Sequence, residues 1–190
     1  NHTCPIRLGV ADYGMNVWFG DNYDYRQRII DLRAIGFDGT ERLIAYDAAD
    51  LMDKLTILRE LNMDCATVVG PRPEQSMKWS AALGKTYVWT LVNDKNDFDV
   101  HCRKVNDSED ACARYGIRSG IHNHMGTQVE TQAQLEEFLK RCPRTGIVLD
   151  TGHLAAMGGD GLEITQKYFD RICAVHMNNW EETNPGAENW

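Results

Sequence analysis

The sequence has no long apolar run, no paired-cysteine motif, no glycine-rich phosphate motif and no excess of basic residues. No run approaches the roughly eighteen apolar residues of a membrane span, and "NHTCPIRLGV" at the N-terminus lacks an apolar signal-peptide core. A net charge of -8 argues against a nucleic-acid partner, since nucleic-acid binders carry a basic face. Because neither G-x-G-x-x-G nor G-x-x-x-x-G-K-[ST] occurs, nothing indicates a nucleotide-binding crevice.

The six cysteines are dispersed, and none belongs to a C-x-x-C pair. Several lie in apolar stretches, such as Cys65 in "MDCATVV" and Cys173 in "RICAVH". This pattern is typical of buried free thiols in a reducing compartment rather than of a disulfide framework. We therefore expect a cytoplasmic protein with no membrane partner.

Short apolar runs alternate with helical patterns along all 190 residues, which indicates one α/β domain over residues 1–190. Leu51, Leu55, Leu58 and Leu61, for example, form a helical stripe. The predicted strands are 6–14, 37–44, 63–70, 86–92, 117–124, 145–153 and 172–180. Regular alternation predicts parallel strands with crossover helices, either as an open doubly wound sheet or as a (β/α)8 barrel.

Polar residues that bind metals or carry protons cluster where the fifth, sixth and seventh predicted strands end. They are His122, His124, Asp150, His153 and His176. The carboxyl ends of parallel strands share one face, which in such proteins carries the active site. Imidazole and carboxylate together suit Mn, Co, Fe or Zn. The sequence thus predicts a metal site there, whereas His2 and His101 are expected at the surface.

Three segments carry a family resemblance: "GIHNHMGTQVET", "GIVLDTGHLAAMGGD" and "RICAVHMNNW". In this order they resemble the xylose-isomerase-like TIM-barrel superfamily of sugar isomerases and epimerases, and most closely its inosose dehydratase branch. "GFDGTE" is similar to the second-strand signature of that superfamily. The resemblance covers roughly residues 6 to 180 and implies a (β/α)8 TIM-barrel fold.

The resemblance implies a divalent metal such as Mn, Co, Zn or Mg. It places Asp150 and His176 among the metal ligands, with His122 at the position of the fifth-strand carboxylate. It implies that His153 contacts a substrate hydroxyl and takes part in catalysis, and that Glu41 is an acid/base candidate. An ion pair of Glu41 with its neighbour Arg42 or with a neighbouring strand is the alternative for that residue.

Further pocket positions follow from the same resemblance. His124 and Asn179 are expected to contact substrate. Trp18 and Trp89, from their places near the ends of the first and fourth predicted strands rather than from the resemblance, are expected to wall a sugar pocket, with core packing an at least equal alternative. The seventh-strand segment reads "VHMNN" where the family commonly has "VHLKD", so Asn178 and Asn179 stand in place of a lysine and an acid.

The function implied is a metal-dependent lyase or isomerase on a keto-cyclitol or keto-sugar, similar to inosose dehydratase. A plain sugar epimerase or isomerase is one alternative, and a catalytically inactive sugar-binding or partner-subunit paralogue is another. The expected partner is a small sugar or cyclitol, with a homo-oligomer as a further possibility.

Only seven strands can be counted, although a barrel of this type has eight. We expect that the natural sequence continues into an eighth strand whose Glu completes the metal site. We also expect an open barrel with a gap between the strands near Val10 and Val175.

Overall fold

Parallel strands alternate with α-helices along residues 6–11, 23–90 and 97–178, which are the residues that the computed structural model describes. The strands are β1 (Gly9–Val10), β2 (Gly39–Ile44), β3 (Asp64–Val69), β4 (Tyr87–Trp89), β5 (Arg118–His122), β6 (Gly146–Asp150) and β7 (Ile172–His176). The helices are α1 (Tyr25–Ile35), α2 (Ala48–Glu60), α3 (Pro73–Ala82), α4 (Phe98–Arg114), α5 (Gln132–Arg141), α6 (Thr151–Ala156) and α7 (Gly161–Lys167). A 3-10 turn, Phe169–Arg171, leads into β7.

The chain divides into two compact units, residues 1–85 and 86–190. In the first unit, β1, β2 and β3 pair in parallel in sequence order. Helices α1 and α2 bury an apolar stripe on this sheet, and its core includes Ile29, Leu43, Leu58 and Val68. The predicted stripe is confirmed only in part, because Leu51 and Leu58 are fully buried whereas Leu55 and Leu61 pack at the margin.

In the second unit, β4, β5, β6 and β7 also pair in parallel and in sequence order. Its core lies between this sheet and the helices, and Phe138, Leu135, Ile147 and Leu149 are each fully buried there. All five residues of β6 are buried, as expected for a central strand covered on both faces. The carboxyl ends of the four strands in this unit therefore lie at the same edge of the sheet.

Acidic and threonine side chains start most of the helices by accepting backbone N–H bonds from the first turn. The capping residues with such bonds are Asp24, Asp47, Asp97, Thr131, Asp150 and Asp160. A cap of this kind satisfies N–H groups that have no partner within the helix. These caps fix where each crossover helix leaves the strand-end face.

The predicted α/β alternation is confirmed, but two details of the prediction are wrong. The sixth strand ends at Asp150, not at residue 153, because Asp150 caps α6 and the chain turns helical at Thr151. His101 is not a surface residue: it is 3% exposed on α4, with its ring 5.8 Å from that of Phe138. The prediction followed the polarity of the imidazole, although His101 lies one helical turn before Val105 and shares the buried side of the helix with it.

The five cysteines in the described residues are free thiols, as expected, and four of them are buried. No helix in the described parts of the chain is both long enough and apolar enough to cross a membrane. The predictions of one domain over residues 1–190, of an open barrel near Val10 and Val175 and of an eighth strand stay predictions. Trp18 and Asn179 lie outside the described residues.

The buried carboxylate of Glu109 connects α4 to the β5 and β6 segments by hydrogen bonds. Glu109 is 2% exposed, and its Oε1 accepts bonds from the backbone N–H of Ser119 at 2.9 Å and from the Thr145 hydroxyl at 3.3 Å. The Ser119 hydroxyl donates to the same oxygen. Three donors on the β5 and β6 segments therefore share one acceptor on α4.

Replacing Glu109 by Ala should lower the free energy of unfolding by about 2 to 4 kcal/mol, because it leaves these buried donors without an acceptor. Urea denaturation followed by circular dichroism measures the loss. Glu109→Gln keeps the acceptor oxygen and should cost less than half as much. Asp110→Ala removes a neighbouring exposed carboxylate and should change stability by no more than about 0.5 kcal/mol; equal effects at 109 and 110 would contradict this buried connection.

Candidate metal centre

The site is built on the carboxyl ends of three adjacent strands of the second unit. His122 ends β5, Asp150 ends β6 and His176 ends β7. Asp150 and His176 are register partners in the β6–β7 ladder, so their side chains leave the sheet at the same level. Sequence order and parallel pairing together therefore bring the three residues to one point.

The donor atoms of these three residues converge. His122 Nε2 and His176 Nδ1 each lie 3.3 Å from Asp150 Oδ2, and all three ligand atoms lie within 4.8 Å of one another. Two ligand atoms bound to one ion at roughly 2.1 Å are separated by about 3.0 to 3.4 Å. The observed distances from Asp150 thus match those within the coordination sphere of a single ion.

Burial and hydrogen bonding prepare these groups for a cation. Burial on its own would raise the pKa of the Asp150 carboxyl. Hydrogen bonds from the His122 and His176 rings outweigh this effect, together with those from the His153 backbone N–H and the Asn178 side-chain amide. They hold the pKa of Asp150 well below its usual range. Burial lowers the pKa of His122, against the opposing effect of its contact with Asp150. The aspartate is therefore ionised and His122 neutral near pH 7, which are the protonation states that bind metal.

The residues fit a divalent cation by the chemistry of their donors. Two imidazole nitrogens and one carboxylate oxygen form a mixed set that suits Mn, Fe, Co or Zn and leaves coordination positions open. Asp150 is 1% exposed, while the imidazoles of His122 and His176 are each 14% exposed. The carboxylate is thus fixed in the interior, and the imidazoles border the side open to a ligand.

Two further histidines and a tryptophan lie against this cluster. The His153 ring centroid is 3.6 Å from that of His124 and 5.9 Å from that of His122. Trp89, at the end of β4, lies 4.7 Å from the ring of His122 and 5.8 Å from that of His176. All four strand-end histidines of the prediction are therefore brought together, with Trp89 at their side.

His153 reaches the cluster through α6. Its backbone N–H donates to Asp150 Oδ1 at 2.9 Å, so the cap of α6 also sets the distance from the carboxylate to the His153 ring. His124 lies beyond the end of β5, where its Nδ1 contacts the carbonyl oxygen of Met125 at 2.7 Å. The structure thus places one histidine in a helix and the other in a loop, although both were predicted at strand ends.

Glu41 lies on β2 in the first unit and is 7% exposed. Arg42 Nε is 3.8 Å from its Oε2, which agrees with the ion pair considered as the alternative for this residue. Its acid/base role stays a prediction, as do the substrate roles of Trp18 and Asn179.

Asn123 and Thr151 were not predicted as site residues. Asn123 is fully buried, and its amide donates to the Asp150 carbonyl oxygen at 2.9 Å and accepts from the Asp150 N–H at 2.8 Å. The side chain thereby continues the β5–β6 ladder beyond its last backbone pair, His122 and Val148. The only sequence signal was the placement of Asn123 between two histidines.

The chain belongs to the xylose isomerase-like TIM barrel family, whose model matches residues 29–188. It is 29% identical over 85 residues to an inosose dehydratase of Lactiplantibacillus plantarum, a match that covers 44% of this chain and 28% of that protein. It is 24% identical over 214 residues to an inosose dehydratase of Salmonella typhimurium, covering 92% of this chain and 70% of that protein. The first of these matches thus spans less than a third of its relative's length.

A solved structure of a sugar phosphate isomerase/epimerase from Parabacteroides distasonis has the same fold, with a TM-score of 0.70 and 16% identity. The match covers 100% of this chain and 81% of that one. The expected TIM-barrel fold class is confirmed, with seven parallel strands in the described residues.

Replacing Asn123 by Leu should lower the free energy of unfolding by about 2 to 4 kcal/mol, because it leaves the buried N–H and C=O of Asp150 without partners. Denaturant titration measures the change. Asn106→Leu is the matched control. The side-chain amide of Asn106 donates a hydrogen bond to the carbonyl oxygen of Arg141 at 3.0 Å, so its loss should lower the free energy of unfolding by about 1 kcal/mol. A smaller loss at Asn123 than at Asn106 would show that the two bonds do not stabilise the end of β6.

Proposed function

We propose that the protein is a divalent-metal-dependent lyase or isomerase of a keto-cyclitol or keto-sugar, with dehydration of an inosose as the favoured reaction. The observation that carries this proposal is the convergence of His122, Asp150 and His176 on one point of the strand-end face. The family membership and the relatives described as inosose dehydratases support it.

The three donors would hold the ion, with Asp150 supplying the negative charge. A divalent ion bound there supplies a Lewis acid that polarises a ketone oxygen and the hydroxyl next to it. Asp150 Oδ1 also accepts a hydrogen bond from the backbone N–H of His153, and this bond orients the carboxylate before a ligand binds. Trp89 offers an apolar face to the carbon face of a sugar or cyclitol ring beside the imidazoles.

The proton transfers fall to side chains that border the three donors. A base must reach the C–H beside the ketone, and in a dehydration an acid must give a proton to the hydroxyl that leaves as water. His153 and His124, whose rings are in contact with each other, are our candidates to contact substrate and to carry such protons. Glu41 lies in the first unit, and it stays an acid/base candidate on the family resemblance alone.

Epimerisation or isomerisation of a keto-sugar is the second candidate. It starts with the same loss of a proton beside a carbonyl and differs only in where the proton returns, so the same donor set serves both reactions. The fold shared with the Parabacteroides distasonis protein agrees with this candidate. Product analysis on a panel of inososes and ketohexoses separates the two. A product that has lost one water, as an enol or as the dione that the enol forms by tautomerisation, indicates dehydration. A stereoisomer of the substrate indicates epimerisation.

A non-catalytic sugar-binding or partner-subunit role makes an opposite prediction about metal. Metal analysis of protein purified without added metal should show near-stoichiometric Mn, Co, Zn or Mg if the enzyme proposal holds. Protein that stays metal-free even after incubation with each ion would support the non-catalytic role and count against the proposal.

Replacing Asp150 by Ala should abolish metal binding, because the substitution removes the negative charge and the oxygen that both imidazoles face. Elemental analysis and Mn²⁺ titration measure the loss. Asp160→Ala is the matched control, since Asp160 is also an N-cap aspartate but caps α7. The control should bind Mn²⁺ like the unmodified chain, and unchanged metal content in Asp150→Ala would refute the site.

Replacing His153 by Ala should lower turnover of the active substrate by about a hundredfold or more while the metal stays bound. The physical reason is that the His153 ring borders the cluster without belonging to its converging donors. Initial rates together with metal content test this. Loss of metal from His153→Ala would mean that its role and that of a proposed ligand must be exchanged.

A further inference from the structure

The side-chain amide of Asn178 lies against the same carboxylate oxygen that the two imidazoles face. Asn178 Nδ2 donates to Asp150 Oδ2 at 2.7 Å, which is closer than either the His122 or the His176 nitrogen. Three polar side chains, rather than two, thus meet at this oxygen of Asp150. The sequence pattern gave Asn178 only as a replacement for the family's lysine, with no contact of its own.

The backbone of Asn178 is held in place from the helix that Asp150 caps. Its N–H donates to Thr151 Oγ1 at 3.3 Å, and the Thr151 hydroxyl lies 3.2 Å from the Asn178 carbonyl oxygen and 3.1 Å from that of His176. Thr151 follows Asp150 directly in sequence. Two hydrogen bonds with Thr151 therefore connect the backbone of the exposed residue Asn178 to the helix that Asp150 caps.

The direction of the amide follows from the charge that it faces. Next to the bare Asp150 carboxylate, the N–H end of the amide is attracted and the carbonyl end is repelled. A cation among the three donors reverses this field, because it would repel the N–H end and attract the carbonyl oxygen. Rotation of the amide group exchanges the two ends, since both are bonded to the same carbon.

We propose that Asn178 is a fourth ligand of the metal among the described residues, binding through Oδ1 after its amide turns over, in addition to the Glu expected from an eighth strand. The inference rests on the proposed metal site of His122, Asp150 and His176 and adds an amide oxygen to it. Asn carbonyl oxygens are ordinary ligands for hard divalent cations, so the added donor favours Mn²⁺ or Mg²⁺ over softer ions. In the metal-free protein the same amide stabilises the charged Asp150 carboxylate by donating an N–H hydrogen bond to it.

Mn²⁺ titration of the full chain and its variants, followed by electron paramagnetic resonance, tests the affinity. Asn178→Leu, which keeps the size but has neither an oxygen nor an N–H, should weaken Mn²⁺ binding by about tenfold or more. Asn178→Asp, which supplies an oxygen but no N–H, should bind Mn²⁺ at least as tightly as the unmodified chain. Gln166→Leu removes an exposed amide on α7 and should change nothing.

A crystal structure with Mn²⁺ bound decides between a ligand and a mere hydrogen-bond donor to Asp150. The proposal expects Asn178 Oδ1 at coordination distance from the ion. An amide nitrogen still directed at Asp150 Oδ2 in the loaded structure, weakened binding in Asn178→Asp, or unchanged binding in Asn178→Leu would each overturn it.

The Asp150→Ala variant distinguishes failure of Asn178 as a ligand from failure of the proposed metal site itself. If the unmodified chain binds Mn²⁺ and Asp150→Ala does not, the site stands, and the Asn178 variants judge the fourth ligand alone. If the unmodified chain binds no Mn²⁺, the metal site and the fourth ligand fail together. Circular dichroism and thermal unfolding establish that each variant is folded before binding is compared.

Discussion

The candidate site depends on one buried carboxylate, that of Asp150. Its Oδ1 caps α6 through the N–H of His153, and its Oδ2 faces the imidazoles of His122 and His176. A carboxylate that is 1% exposed is costly unless its oxygens are hydrogen-bonded, and here both oxygens have donors. The same contacts that make burial of the charge tolerable also direct the imidazoles of β5 and β7 towards it.

The backbone of Asp150 is as firmly held as its side chain. The Asn123 amide pairs with both its N–H and its C=O where regular β5–β6 pairing has ended. Because the backbone and both carboxylate oxygens are fixed, the position of the negative charge is determined before any ligand arrives. Such preorganisation is what a metal or electrostatic site requires, since little reorganisation then remains to oppose binding.

The departure from the common "VHLKD" ending acquires a physical meaning in this setting. A lysine at position 178 would bring a positive charge to Asp150, whereas the amide of Asn178 brings a neutral group that can offer either an N–H or an oxygen. A neutral group leaves more of the Asp150 charge available to a cation. The replacement is therefore compatible with the proposed metal site.

The sequence by itself determined the α/β alternation and the parallel strands, and it put His122, Asp150 and His176 at the ends of consecutive strands. Apolar periodicity left the strand order open between a doubly wound sheet and a barrel; the family resemblance favoured the barrel, and the structure pairs β5, β6 and β7 as neighbours. The sequence could not locate the end of β6, where the Asp150 cap competes with continued strand, nor the burial of His101. Nor could it reveal the partners of Asn123, Thr151 and Asn178. Those hydrogen bonds join separate strand ends and helices, and short side chains find such partners only once packing has brought the elements within about 3 Å.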